Sequence, residues 1–164
     1  DKPVLNVFRL LAKLGAVRLG VTCDRAVDPV ARGRADAATD PPAIAGIATM
    51  DETDSIQLFL ASHHDDWAVT TPTQLTATLL GATPGRQYRI YRSLVAAGHA
   101  NSYTAWDAMG RPQTPDAAQL AQLHQAAAVE TTSLADATAT ADGLTVTVTL
   151  PSHSSCLLQF VPLA

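Results

Sequence analysis

"AIAGIATMDETDSIQLFLASHH", residues 43–64, decides the fold. Two apolar runs flank the polar stretch DETD, which is the pattern of a β-hairpin. Working outward, the same short-period pattern recurs on both sides. TQLTATLLGA (73–82) is the next strand, and TPG (83–85) turns the chain into RQYRIYRSLV (86–95), another alternating strand. VETTSLADAT (129–138) is read as a further strand. GLTVTVTLP (143–151) and SSCLLQFVPLA (154–164) are the clearest final pair, with Thr145, Thr147 and Thr149 alternating with Val146, Val148 and Leu150. On the upstream side AVRLGVTC (16–23) reads as a strand, and the polar stretch at 24–42 reads as a long surface loop, the most flexible part of the chain. About seven or eight short strands with turn signals between them predict a mainly β protein, an antiparallel β-sandwich.

Two segments depart from that period. DKPVLNVFRLLAKLG (1–15) reads as a helix, with Asp1 as cap, Pro3 in the first turn and Gly15 closing it in the left-handed conformation. Its polar residues Lys2, Asn6, Arg9 and Lys13 form one narrow stripe, and everything else is apolar. Such a face is wider than a helix on one sheet needs, so the helix is expected to lie between two bodies, of which this chain supplies one. TPDAAQLAQLHQAAA (114–128) reads as a short second helix, capped by Thr114 or Asp116, with Leu120 and Leu123 on one face. It belongs to a long excursion that begins with HANSYTAWDAMGRPQTP (99–115). Pro112 and Pro115 fix the backbone there, while Trp106 and Met109 offer large apolar anchors.

Composition narrows the function. The chain has 164 residues, enough for one core, and carries 11 Lys and Arg against 15 Asp and Glu. A mildly acidic balance with scattered Arg gives no basic stripe, which argues against nucleic acid as a partner. No apolar run approaches a membrane span and no signal-peptide pattern opens the chain, although Asp1 is not read as the natural start. Cys23 and Cys156 can bridge an early strand to the last one, but two separate buried thiols are the safer reading.

No motif carries catalysis on its own. HHDDW (63–67) offers metal-ligand residue types, yet neighbours on a strand point to opposite faces, so His63 and His64 read as a strand end running into a polar turn. Glu52 and Glu130 are the only glutamates; one sits in the hairpin turn and the other opens a strand, and neither suits a retaining glycosidase pair. PSHSSC (151–156) sets His153 beside two serines without a nucleophile-elbow motif, and reads as the start of a strand with its polar residues outside. Trp67, Tyr88, Tyr91, Tyr103 and Trp106 are candidates for a sugar-stacking platform or, more simply, core. No cofactor or metal is expected.

The stretch 86–123 resembles the late segment of glycoside hydrolase family 39, the β-xylosidases and α-L-iduronidases. The family's strand ending in Tyr-Arg falls on Tyr91-Arg92, its His-Ser/Ala-Asn segment on His99-Ala100-Asn101, and its Trp on Trp106. Its Met-Gly-x-Pro turn falls on Met109-Gly110-Arg111-Pro112, followed by Pro115 and the short helix at 116–125. KPVLNVFRLLAKLG (2–15) is similar to the helix that closes the family's catalytic barrel, and LPSHSSCLLQF (150–160) to its final strand. The chain departs from the family's xylosidases in having Ser93-Leu94-Val95-Ala96 where an Asp often follows the Tyr-Arg strand, but it keeps their His-x-Asn-x-Tyr run.

The resemblance implies an upstream (β/α)8 barrel bearing an acid/base Glu and a nucleophile Glu, with a β-xylosidase-like parent favoured over an iduronidase-like one. No residue of this chain matches either catalytic motif, so no catalytic residue is assigned to it. Residues 1–15 then correspond to the last barrel helix and 16–164 to the sandwich. The expected role is non-catalytic support of the barrel in the same polypeptide, with Phe8, Leu11, Trp106 and Met109 docking the two parts. His99, Asn101 and Tyr103 are the residues able to reach a glycoside at the rim. The rival reading is an autonomous carbohydrate-binding sandwich.

Overall fold

The computed structural model describes residues 2–26 and 41–163. Asp1 and most of the expected loop at 24–42 lie outside the described residues. The hairpin forms as read: β2 (Ala43–Met50) pairs antiparallel with β3 (Ile56–His63) along its whole length, from Ala43 opposite His63 to Met50 opposite Ile56. Asp51 organises the turn. Its Oδ1 accepts from Thr53 Oγ1 at 2.6 Å and from the Thr53 and Ser55 amides, and its Oδ2 accepts from Gln57 Nε2 at 2.8 Å. These bonds, the Thr53 hydroxyl foremost, hold the Asp51 carboxyl below its ordinary pKa.

Around the hairpin the sheet grows on both sides. β1 (Val17–Leu19) adds to β2, β9 (Ser154–Pro162) pairs with β3, and β5 (Gln87–Val95) pairs with β9. Short β6 (Thr131–Ser133) and β7 (Ala137–Thr138) both pair with β5 to complete a seven-stranded antiparallel sheet. A second sheet has two strands, β4 (Thr73–Leu79) and β8 (Leu144–Leu150). The mainly β, antiparallel two-sheet fold is therefore as the sequence predicts, with nine strands among the described residues. One expectation is corrected: the last two strands lie in different sheets, because β8 pairs with β4 and β9 is wedged between β3 and β5. Alternation along β8 is as read, with the threonines out and Leu144, Val148 and Leu150 buried.

Central strands β3 and β9 are buried on both faces, which is why they read as near-continuous apolar runs. Leu58, Leu60, Cys156, Leu158 and Phe160 face the two-stranded sheet and meet Leu144, Val148, Leu150, Tyr88 and Ile90 there. Phe59, Leu157 and Val95 point the other way, against helix α1 (Pro3–Leu11), in a second cluster with Leu10 and Ala100. Cys23 and Cys156 are both free thiols, and burial pushes the Cys156 thiol up to about 12.

Helix α1 corrects three further expectations. Lys2 is the N-cap and makes no side-chain cap bond, with Pro3 in the first turn as expected. The helix ends at Leu11 with Ala12 as C-cap, so Gly15 does not close it and has no positive φ. Gly15 is needed for another reason: a Cβ there would run into the Met50 carbonyl. Its amide donates to Thr49 Oγ1 at 2.9 Å and Gln57 Oε1 at 3.1 Å, tying the end of the helix to the hairpin.

The polar stripe is also split, with one of its four residues turned inward. Asn6 is fully buried; its Nδ2 donates to the carbonyls of Ala100 and Ala127, each at 2.8 Å, and its Oδ1 accepts from Arg9 Nη1. Lys2, Arg9 and Lys13 are exposed, and so are three apolar residues: Phe8 at 62%, Val4 at 55% and Leu5 at 40%.

The excursion after β5 holds two helices where the sequence predicts one. A tight turn from Ala96 to His99 leads into α2 (Ser102–Ala108), and α3 (Ala117–Ala126) packs against it. Asn101 makes α2 possible by capping it, Oδ1 accepting from the amides of Tyr103 and Thr104. Between Thr114 and Asp116 the cap of α3 falls to Asp116, which forms a capping box with Gln119.

Candidate functional site

The register of β3 against β9 sets Ser62 opposite Ser154 and Ala61 opposite Ser155. Two polar stretches read separately in the sequence, the one around His63 and the one around His153, therefore meet at one end of the large sheet. Facing them are the first turn of α1, the end of β5, and α2 with α3. Together these surround a cleft of about 1090 Å³.

Aromatic side chains dominate its walls. Trp67, 75% exposed, stacks on the His153 ring with centroids 4.4 Å apart and planes 23° from parallel. His63 meets the same imidazole edge-on at 5.8 Å. Across the helical side stand Tyr103, 55% exposed, and Trp106, their rings 5.8 Å apart. Trp106 is held by Nε1 donating to the Pro112 carbonyl at 3.0 Å, which uses the proline-fixed excursion to aim the indole.

Polar atoms sit beneath the aromatics. Ser62 Oγ and both ring nitrogens of His153 are buried with no hydrogen-bond partner among the described residues. His153 also holds a left-handed backbone, φ 55°, unusual for a side-chain-bearing residue. The expectation that the serines of PSHSSC lie outside is corrected. Ser152 and Ser154 are buried, their hydroxyls donating to the Thr71 and Pro151 carbonyls at 2.7 and 2.6 Å. These are the bonds of a tight strand start, and His153 makes none with a serine, so no nucleophilic dyad forms.

Of the three residues singled out for reaching a glycoside, Asn101 and Tyr103 line this cleft. His99 does not: it lies in a separate polar hollow of about 130 Å³ with Arg92 and Glu130. The docking candidates divide as well. Phe8 stands in solvent, Leu11 packs inward on the second cluster, Trp106 lines the cleft, and Met109 caps the end of α2. Of the aromatic platform, Trp67, Tyr103 and Trp106 share the cleft, whereas Tyr88 is core.

His63 and His64 behave as strand alternation requires. His63 is exposed and lies 3.3 Å from the Asp65 carboxylate, while His64 is buried and its Nδ1 accepts from the Asp66 amide at 2.9 Å. Among the described residues no three His, Cys, Asp or Glu side chains gather to hold a metal ion, and no helix is long and apolar enough to cross a membrane. Glu52 and Glu130 are both exposed, on separate elements.

The sequence model described as "Glycosyl hydrolases family 39" matches residues 1–143. The chain belongs to glycosyl hydrolase family 39. Its solved relatives carry the same architecture as part of larger molecules. A monomeric β-xylosidase from Caulobacter crescentus superposes over 100% of this chain and 31% of its own, with TM-score 0.69 and 16% identity. A second structure of a family 39 β-xylosidase from Caulobacter crescentus covers 99% and 28%, with TM-score 0.59 and 18% identity. The family 39 enzyme from Xanthomonas axonopodis pv. citri covers 72% and 26%, with TM-score 0.54 and 20% identity. At such identities the likeness is one of fold, and this family 39 chain spans about a quarter to a third of those structures' length. No curated protein matches it.

Proposed function

We propose that this chain is a non-catalytic β-sandwich portion of a retaining glycoside hydrolase of β-xylosidase type, with residues 1–15 as the last helix of a (β/α)8 catalytic barrel in the same polypeptide and 16–164 as the sandwich. One observation carries the reading: α1 packs Leu10, Val7 and Leu11 against this chain and still leaves a second apolar side open. Its inward side spends a fully buried Asn6 on two main-chain carbonyls, while Phe8, Val4 and Leu5 stand in water. Covering the exposed part of Phe8 alone is worth about 1–2 kcal/mol. The barrel wall is the proposed occupant, and membership of family 39 supports that choice. The two exposed glutamates agree with a catalytic pair placed elsewhere.

The test is Phe8→Asp made twice. In the 164-residue chain, where Phe8 is exposed, the substitution is expected to change stability by less than about 0.5 kcal/mol. In the longer polypeptide it is expected to cost about 3 kcal/mol or more by burying an unpaired charge, and to lower hydrolysis of an aryl β-xyloside. Equal effects in both settings sink the docking reading.

A further inference from the structure

The smaller hollow, about 130 Å³, lies between β5, the turn at 98–100 and the end of α3, and none of Phe8, Leu11, Trp106 or Met109 lines it. Arg92, His99, Gln125 and Glu130 are its charged and polar walls, and Gly98 with three alanines keeps it open between them. Arg92 is the unusual member. Along β5, Tyr88, Ile90 and Leu94 all enter the main core, and Arg92 falls in the same alternation. The guanidinium thus leaves the sheet on its core side, half-buried, and its charge reaches the Cys156 thiol, where it partly opposes the effect of burial.

A cation in that position needs an acceptor. Arg86, Arg89 and Arg111 each meet an aspartate. Among the described residues Arg92 meets no carboxylate and donates no side-chain hydrogen bond, although Glu130 shares its hollow. Five donors held half out of water without an acceptor cost free energy. The walls around them are also fixed. Asn6 donates to the carbonyls of Ala100 and Ala127, one in the turn and one at the end of α3. Paired backbone bonds between Ala96 and His99, 2.9 and 3.1 Å, close the turn and leave Ala100 at φ 50°, a left-handed backbone that a side-chain-bearing residue adopts at a cost.

Charge and size select the ligand. One guanidinium beside one carboxylate suits a single negative charge, since a doubly charged phosphate would meet Glu130 without a second Lys or Arg in the described lining. A carboxylate ligand takes both bonds of the arginine fork. Glu130, an acceptor, then calls for a hydroxyl that donates to it. The geometry points to a binding site for a small 2-hydroxy carboxylate between β5 and α3, its carboxylate on the Arg92 guanidinium and its hydroxyl on Glu130, with His99 and Gln125 at the rim. The hollow holds an anion of a few heavy atoms and is too small for a sugar ring.

Nitrogen-15 NMR of the arginine side chains in the 164-residue chain tests the site, with Arg92→Lys used to assign the Arg92 Nε resonance. Glycolate, acetate and inorganic phosphate are the probes. Glycolate is expected to move that resonance saturably, with millimolar affinity, while Arg89 and Arg111, already paired with aspartates, stay still. Acetate, which lacks the hydroxyl, should bind several-fold more weakly, and phosphate no more tightly than acetate. In Arg92→Lys, which keeps the charge and loses the fork, glycolate should bind about tenfold more weakly, followed on the His99 ring. In Glu130→Ala, at an exposed position, glycolate should fall to the affinity of acetate. An Arg92 resonance that ignores glycolate overturns the proposal. So does equal movement of Arg89 and Arg111, the mark of an adventitious ion, and so does acetate or phosphate binding as tightly as glycolate. None of these outcomes bears on Phe8→Asp, so the two readings fail separately.

Discussion

Replacing Asn6 by leucine tests how α1 is held to the sheet. By residue type the change looks favourable, since it swaps a polar residue in a helix for a strong helix former of similar size. The structure gives the opposite sign. Asn6 Nδ2 donates to the carbonyls of Ala100 and Ala127, 94 and 121 residues away, so one side chain joins the helix to the start of the excursion and to the end of α3. Leucine leaves both acceptors in a buried site without a donor. Each costs about 1–3 kcal/mol, and the added apolar burial returns about 1 kcal/mol, so a net loss of about 1–5 kcal/mol follows. In a chain of this size that lowers the melting temperature by about 2–20 °C. Urea and thermal unfolding followed by circular dichroism measure it, with Phe8→Ala as the exposed control expected within about 0.5 kcal/mol of the parent. If Asn6→Leu proves as stable as the parent, the two bonds do not hold the helix and its orientation has another cause.

Gly15→Ala sets a Cβ against the Met50 carbonyl, where backbone cannot yield cheaply, and is expected to cost more than about 2 kcal/mol in the same unfolding assay. Asp51 has a lowered pKa, so its contribution is present above the ordinary carboxylate value and fades as pH falls through the folded one; in Asp51→Asn the stability-against-pH curve should lose that acid-side drop. For Cys156 the sign reverses: a thiol raised to about 12 when folded loses stability as pH climbs from its ordinary value of 9.0 toward 12, a fall that Cys156→Ala should remove from the alkaline limb. Mass spectrometry after treatment with a thiol reagent should find half-buried Cys23 modified before Cys156, which reacts on unfolding.

Much of the fold was legible because it is local. Asp51 closes the hairpin with bonds to residues two to six positions away, and period-two alternation marks β4, β5 and β8 without knowledge of their partners. Strand pairing is not local. Chain order suggested that β8 and β9 form a final pair, but β9, apolar on both faces, takes the middle of the larger sheet, and the threonine-faced β8 goes to the two-stranded one. Helix α2 was missed because it spans seven residues and includes Tyr103, Thr104 and Trp106, none a strong helix former. Its one local signal was Asn101, a good N-cap read only as a ligand.

The candidate cleft was half legible for the same reason. Tyr103 and Trp106 drew attention because they crowd one irregular stretch, whereas Trp67, Ser62 and His153 sit in two stretches about 90 residues apart that each read as ordinary strand ends. Only the β3–β9 register brings them together. That register is fixed by what lies further along the same strands, Leu58 beside Leu158 and Leu60 beside Cys156, each pair turned into the core. A one-residue slip would send those side chains to the opposite face, so the core holds the pairing firmly. The aromatic and imidazole groups at the strand ends are thereby placed by packing that involves none of them. The arrangement of the cleft should accordingly survive loss of its own residues, and variants at Trp67 or Ser62 should leave the fold unchanged. Variants at Leu60 or Leu158 should disturb both.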